Sequence, residues 1–178
     1  MGPIIRGTCK SLSVLCRGIL LATGLAALAA HAGLRYNQTP SVPKGLYWIN
    51  PFDRSAPVGS YAAFCPPLND IVREAKRRGY LGNGPCPGNL PALLKVVAAG
   101  PGDLVEIRDD GVHINGHLWP KSRPLERDPE GRKLPQQQGL RVVLNHHERL
   151  FLSQNQSSGF DCRYLGPVPD RHMMGTAY

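Results

Sequence analysis

The residue with the most distinctive chemical setting is a lysine inside an aliphatic run. Lys95 lies within residues 93–97, which read LLKVV, so apolar side chains flank it on both sides. A strand that is apolar on both faces is usually buried on both. Desolvation penalises a buried ammonium, so the pKa of the lysine falls and its neutral amine can act as a base. The alternative is an edge-strand lysine whose charged end stays in water.

A serine held between prolines is the natural partner for such a base. Ser41 lies in residues 39–43, which read TPSVP, and the two prolines restrict the backbone on either side of it. A serine hydroxyl alone is a weak nucleophile, and a neutral lysine within hydrogen-bond reach can activate it without histidine. Ser41 and Lys95 therefore form a candidate catalytic dyad, whereas Ser41 by itself is typical of a turn.

The elements that must position these side chains are mostly strands. Residues 93–99 and 104–107 predict two strands around a Gly-Pro-Gly-Asp turn, and residues 105–119 predict a meander. Hairpin turns are expected at Asp110-Gly111 and Asn115-Gly116. Other predicted features are strands at 58–64, 141–144 and 150–153, a polar exposed loop at 121–139 and an irregular tail at 161–178.

One short helical insert is expected between two cysteines. Asn69 or Asp70 can cap a helix that runs to Arg78. Cys65 and Cys86 bracket this segment, each beside a proline. In an oxidising compartment the pair predicts a disulfide, and the alternative is two unrelated thiols.

No metal site is expected from the sequence. The chain has no C-x-x-C pair, which argues against a structural zinc site or a redox dithiol. The adjacent His146 and His147 would point to opposite faces of a strand, and Glu148 alone does not complete a site.

The N-terminus has the pattern of an export or anchor segment. Residues 1–17 are basic and residues 18–30 read GILLATGLAALAA, which is short for a membrane-spanning helix. Ala30-His31-Ala32 also matches a secretory cleavage site, so a cleaved signal and a retained anchor both remain open. Both place the remaining chain across the membrane. We therefore expect a leader at residues 1–34 and one exported β-rich domain at 35–178.

The net charge of +8 does not require a nucleic-acid partner. Five of the 21 Lys and Arg residues lie in residues 1–52, which contain no Asp or Glu. Because much of the excess positive charge belongs to the leader, the exported part needs no DNA-binding face, and no nucleic acid is expected as a partner.

Three segments, in order, resemble the successive boxes of type I signal peptidases. They are residues 39–43 (TPSVP), 94–103 (LKVVAAGPGD) and 159–166 (GFDCRYLG). Members of this family are membrane-bound Ser/Lys endopeptidases with a β-rich catalytic domain. The short chain, Cys-Pro-Pro at 65–67 and Cys-Pro-Gly at 86–88 resemble most closely the TraF-type pilin maturation peptidases of conjugative transfer. The resemblance runs from about residue 39 to 169 and implies a mainly β, signal peptidase-like catalytic domain.

The resemblance also implies roles for individual residues. Ser41 would be the nucleophile and Lys95 the general base, and Asp161 is implicated in activity in the subgroup. The Thr39 hydroxyl and the Ser41 backbone N–H would line the oxyanion hole, and Arg163 would pair with Asp161. One position departs from the family pattern, because Gly159 stands where signal peptidases carry a serine that hydrogen-bonds the lysine. Ser157 or Ser158 would then have to supply that contact.

The implied activity is acyl transfer without a cofactor. Ser41 would attack a carbonyl near the C-terminus of a small membrane pilin subunit, at the periplasmic face of the bacterial inner membrane. Either water or the N-terminal amine of the pilin would then release the acyl group, the latter giving a cyclic product. A general signal peptidase for exported preproteins and a non-catalytic assembly component of a secretion channel are the two alternatives.

Overall fold

The computed structural model describes residues 5–135, 137–154 and 156–178, with side chains from residue 14 onward. The chain begins with helix α1 (Ile5–His31), whose described side chains are almost all exposed. Its Val14–His31 portion is long and apolar enough to cross a membrane. An exposed apolar helix of this length needs a nonaqueous surrounding, as a signal or anchor segment has.

The described residues after α1 form two antiparallel sheets. The first has seven strands in the order β1-β2-β11-β3-β4-β9-β10, and the second has four in the order β7-β6-β5-β8. The strands are β1 (Leu34–Asn37), β2 (Gly45–Asn50), β3 (Tyr61–Phe64), β4 (Leu93–Ala99), β5 (Leu104–Arg108), β6 (Gly111–Ile114), β7 (His117–Leu118), β8 (Arg141–Val143), β9 (Glu148–Leu152), β10 (Val168–Pro169) and β11 (Met173–Ala177). The predicted mainly β architecture with one short helical insert and an N-terminal apolar helix is confirmed.

Strand β4 lies in the interior of the seven-stranded sheet. It pairs with β3 on one side, where Lys95 is opposite Ala62, and with β9 on the other, where Val97 is opposite Phe151. Phe64 and Phe151 stack with ring centroids 4.4 Å apart. β4 is therefore not an edge strand, and Lys95 itself is only 4% exposed. The edge-strand alternative for position 95 is therefore wrong.

The four-stranded sheet confirms one predicted hairpin turn and corrects the other. Asn115 and Gly116 form the two-residue loop between β6 and β7, both with positive φ, as a type I′ turn requires. In the preceding hairpin Arg108 is opposite Gly111, so the loop consists of Asp109 and Asp110. Gly111 is instead the first residue of β6, where its φ of 149° and tight packing against Ser122 exclude larger residues.

The helical insert and its disulfide agree with the sequence prediction. Helix α2 (Asp70–Arg77) begins after Asn69, whose side chain accepts a hydrogen bond from the Val72 backbone N–H. Cys65 and Cys86 are disulfide-bonded across it. The disulfide thus closes the helical insert into a loop that begins directly after β3.

The C-terminal region is more regular than predicted. Asp161 caps the short helix α3 (Cys162–Leu165), and a 3₁₀ turn at Asp170–His172 leads into β11. Strand β11 lies between β2 and β3, with a register shift between Met173 and Gly175. The predicted strand at 58–64 begins only at Tyr61, because residues 57–60 form a turn closed by a hydrogen bond from Ser60 to Pro57.

Candidate active site

Ser41 lies in the turn that joins β1 to β2, and one buried amide organises this turn. Asn37 Nδ2 lies within hydrogen-bond distance of three carbonyl oxygens, which share its two N–H groups: those of Thr39 at 2.9 Å, Val42 at 3.1 Å and Pro43 at 3.0 Å. Asn37 Oδ1 accepts from the Thr39 backbone N–H at 3.1 Å. An asparagine that bonds the backbone two residues onward is typical of an Asx turn. Asn37 was not among the residues predicted from the sequence.

The side chains of Ser41 and Lys95 meet. Lys95 Nζ lies 2.6 Å from Ser41 Oγ, and the two residues are only 4% and 6% exposed. Burial lowers the pKa of Lys95 below its ordinary value of 10.5, and the positive charge of Arg163 lowers it further, while Asp161 acts in the opposite direction. The neutral amine can accept the proton of the Ser41 hydroxyl, which is the geometry that general-base activation of a serine requires.

The second serine that forms a hydrogen bond with Lys95 is Ser153. Its Oγ lies 3.0 Å from Lys95 Nζ, and the residue is 1% exposed at the end of β9. The expected Ser158 does not take this position, because it is exposed and accepts a hydrogen bond from Gln156 instead. Ser157 is likewise exposed. The lysine contact is therefore supplied by the residue directly after β9 and not by the serines at 157 and 158.

The position of Ser153 also explains why residue 159 is a glycine. A Cβ atom at position 159 would lie 2.2 Å from Ser153 Oγ and 3.2 Å from Asp161 Oδ2. Atoms cannot approach so closely, so the Ser153 hydroxyl occupies the space that a side chain at 159 would need. The hydroxyl that contacts Lys95 is thus on Ser153, whereas the resemblance implied a serine at position 159. No local sequence pattern indicates this change.

Asp161 and Arg163 form a fully buried ion pair behind the dyad. Both residues are 0% exposed, and two guanidinium nitrogens contact the two carboxylate oxygens at 2.8 and 3.0 Å. Asp161 Oδ2 also accepts from the Ser153 backbone N–H at 2.9 Å. The Arg163 guanidinium reaches the carbonyls of Ser157 and Lys121 as well. The pair thus fixes the chain around Ser153, and the described hydrogen bonds of Asp161 connect it to the dyad through the Ser153 backbone N–H.

The sequence profile of the family described as signal peptidase, peptidase S26, matches residues 9–178. The chain belongs to this family. It is 44% identical to a plasmid transfer protein TraF of Escherichia coli over 146 residues, 81% of this chain and 80% of that protein. It is 40% identical to a conjugal transfer protein TraF of Agrobacterium tumefaciens over 168 residues, 94% of this chain and 93% of that protein. A signal peptidase I from Enterococcus faecalis aligns in structure with a TM-score of 0.36 and 19% identity, over 67% of this chain and 94% of that one.

In this member of the signal peptidase family, two donors lie where an oxyanion hole was predicted. The Thr39 hydroxyl donates to Asn37 Oδ1 at 2.8 Å, so it must rotate before it can reach a substrate oxygen. The Ser41 backbone N–H donates to no acceptor among the described residues, whereas the Ser41 carbonyl accepts from Gln154 at 2.7 Å. The Ser41 N–H is therefore the donor that is available to an oxyanion without rearrangement.

A cleft of about 1070 Å³ opens at the dyad. Residues 80–85 and 91–94, in and after the disulfide-closed loop, line it together with residues from the 125–134 and 156–164 segments. The rings of Tyr80 and Phe160 are 6.1 Å apart and those of Phe160 and Tyr164 are 5.7 Å apart. The Tyr80 hydroxyl donates to the Asp128 carboxylate, which joins the disulfide loop to the 125–134 segment. A cleft of this size can hold a peptide segment.

Proposed function

We propose that this chain is a serine endopeptidase that uses Ser41 as nucleophile and Lys95 as general base. The observation that carries the proposal is the 2.6 Å contact between a buried Lys95 Nζ and Ser41 Oγ. Burial of a charged lysine in a sheet interior costs free energy, so burial favours the neutral amine, the form that can act as a base. Membership of a peptidase family supports this reading.

The proposed reaction balances with these two side chains alone. Ser41 Oγ bonds to the scissile carbonyl carbon while its proton passes to Lys95 Nζ. The tetrahedral oxyanion accepts hydrogen bonds from the Ser41 N–H and the rotated Thr39 hydroxyl. The C–N bond then breaks, and the proton on Lys95 passes to the departing amine. In the second half, water or an amine attacks the ester carbonyl and passes a proton to the neutral Lys95 Nζ. The C–O bond to Ser41 then breaks, and Lys95 passes that proton to Ser41 Oγ.

The proposed substrate is the precursor of a small membrane pilin subunit used in plasmid conjugation. The relatives at 40–44% identity are named as plasmid or conjugal transfer proteins, which supports a role in conjugation over general preprotein processing. Release by the N-terminal amine of the pilin, which would cyclise it, requires that the cleft exclude water from the acyl-enzyme. Ser41 and Lys95 are already almost fully buried.

We place the catalytic part of the chain at the periplasmic face of the inner membrane. The apolar helix α1 and the Cys65–Cys86 disulfide support export or membrane anchoring. Leu34, Tyr36 and Leu46 are exposed on the β1–β2 pair directly after α1. Apolar side chains beside a spanning helix suit the membrane interface, so the dyad would work close to a membrane-bound substrate.

The proposal is tested by following pilin maturation in cells that carry a conjugative plasmid. S41A and K95A variants should each leave the pilin precursor uncut, whereas S157A and K44A, which alter exposed residues of the same types, should process it. Mass spectrometry of the product separates hydrolysis from cyclisation, because a cyclic pilin is one water lighter than its linear form. Processing by S41A would contradict the enzymatic proposal. Failure of other exported proteins to mature would favour a general signal peptidase.

A further inference from the structure

Trp119 connects the four-stranded sheet to the dyad, although it lies outside every family-like segment. Its backbone is fixed at both ends: its N–H donates to the Val112 carbonyl at 2.8 Å, and its carbonyl accepts from the buried Ser122 Oγ at 2.6 Å. The half-buried indole packs against both hydrophobic clusters, including the one that contains Val42 and Val96. These two residues follow Ser41 and Lys95 directly in the chain.

The indole N–H is directed at the peptide unit that joins Ser153 to Gln154. Trp119 Nε1 donates to the Ser153 carbonyl at 3.2 Å. The N–H of the same peptide unit, on Gln154, donates to the Ser41 carbonyl at 2.7 Å. Because a peptide unit is planar, a bond that fixes its carbonyl also fixes the direction of its N–H. Trp119 and Ser41 are therefore linked through one rigid plane.

Resting on the proposed function, we infer that Trp119 is a positioning residue that aligns both members of the dyad through the Ser153–Gln154 peptide. One branch runs through the Gln154 N–H to the Ser41 backbone, and the other through Ser153 Oγ to Lys95 Nζ. Asp161 holds the same serine from its other side, through its backbone N–H. The two supports are independent, since Trp119 comes from the four-stranded sheet and Asp161 from the cap of α3.

A positioning role predicts a specific kinetic signature. Loss of the indole N–H should leave substrate binding intact and disturb the geometry in which Ser41 attacks, since small displacements of reacting groups slow the chemical step strongly. Water that enters beside a loosened Ser153 would relieve the desolvation of Lys95 and raise its pKa. The rising limb of the rate against pH should then move to higher pH.

The chain provides its own matched control, because Trp48 is the other of its two tryptophans. Trp48 Nε1 donates to the Ala32 carbonyl, near the end of α1. With full-length chain in detergent micelles and pilin precursor as substrate, we expect W119F to lower kcat about tenfold with KM within about twofold. W48F should match the wild type in kcat, KM and pH profile. Thermal unfolding followed by circular dichroism checks that both variants fold.

A second replacement keeps the test decisive if W119F unfolds. In the W48F background, Trp119 is replaced by β-(3-benzothienyl)alanine, which keeps the ring system but lacks the N–H donor. The same fall in kcat and the same shift of the pH profile would support the inference. A kcat equal to that of W48F, or a change confined to KM, would overturn it. If the wild type leaves the precursor uncut, the proposed function itself fails, which the wild-type reaction shows separately.

Discussion

The chemistry at residue scale depends on a lysine that is buried without a carboxylate partner in direct contact. The described hydrogen bonds of Lys95 Nζ go to two serine hydroxyls, Ser41 and Ser153. Hydroxyls compensate an ammonium far less than a carboxylate would, so burial dominates and lowers the pKa of Lys95. In the proposed mechanism, this burial favours the neutral amine that acts as the base.

The first prediction concerns the pH dependence of this amine. Protonated Lys95 cannot accept the Ser41 proton, so kcat/KM should rise with pH and level off once the amine is neutral. Because burial lowers its pKa, the midpoint of the rise should fall below the ordinary lysine value of 10.5. The check is a pH profile of precursor cleavage under single-turnover conditions. A rise whose midpoint is at or above the ordinary value would show that Lys95 is not desolvated during the reaction.

The second prediction concerns the crowded pair Ser153 and Gly159. A G159A variant should lose activity and stability, since its new Cβ would overlap Ser153 Oγ. An S153G/G159S double variant removes that overlap and offers a hydroxyl from the family-like position, so it should recover part of the activity that G159A loses. Cleavage rates and unfolding free energies of the three proteins test this. Equal stability of G159A and wild type would contradict the packing argument.

At element scale, the cap of α3 combines a structural and a functional role. The Asp161 side chain accepts a hydrogen bond from the Arg163 backbone N–H in α3, pairs with the buried Arg163 guanidinium and accepts from the Ser153 backbone N–H. Removal of one partner from a fully buried ion pair leaves an uncompensated charge, which costs about 3–5 kcal/mol. Replacement of Asp161 is therefore expected to weaken both the fold and the positioning of Ser153.

The third prediction follows from that arrangement. D161N should lower the free energy of unfolding by about 3–5 kcal/mol, measured by chemical denaturation. D70N is the matched control, because its ion pair with Arg73 is exposed and should contribute much less. In D161N/R163M the unpaired charge is gone, so stability should partly return while cleavage stays slow. Wild-type stability of D161N would refute the account of this cap.

The fourth prediction concerns the disulfide-closed insert. Cys65 and Cys86 are separated by 21 positions, and closing a loop of that size stabilises a fold by about 3 kcal/mol. A C65S/C86S variant should lose about that amount and should also bind substrate more weakly, because residues 80–85 line the cleft. Unfolding curves with and without reductant give the first quantity, and KM gives the second. An unchanged KM would show that this wall of the cleft holds its position without the disulfide.

At the scale of the whole molecule, sequence patterns predicted those strands, turns and helix caps that depend on residues close together in the chain. Aliphatic neighbours identified the strand of Lys95, Asn115-Gly116 identified a hairpin, and Asn69 identified the start of α2. The sequence did not predict that Met173–Ala177 would become an interior strand, because its partners are residues 49–50 and 61–64, far away in the chain. Ser153 was missed for the same reason, since its role depends on contacts with Lys95 and Gly159.

In the proposed mechanism Ser41, activated by Lys95, forms a covalent acyl-enzyme with the precursor. The most direct measurement is the intact mass of the full-length chain after brief mixing with pilin precursor and acid quenching, followed by peptide mapping. The wild type should gain the mass of the acyl fragment on Ser41, and S41A and K95A should gain none. An adduct on another residue, or cleavage by S41A without any adduct, would contradict it.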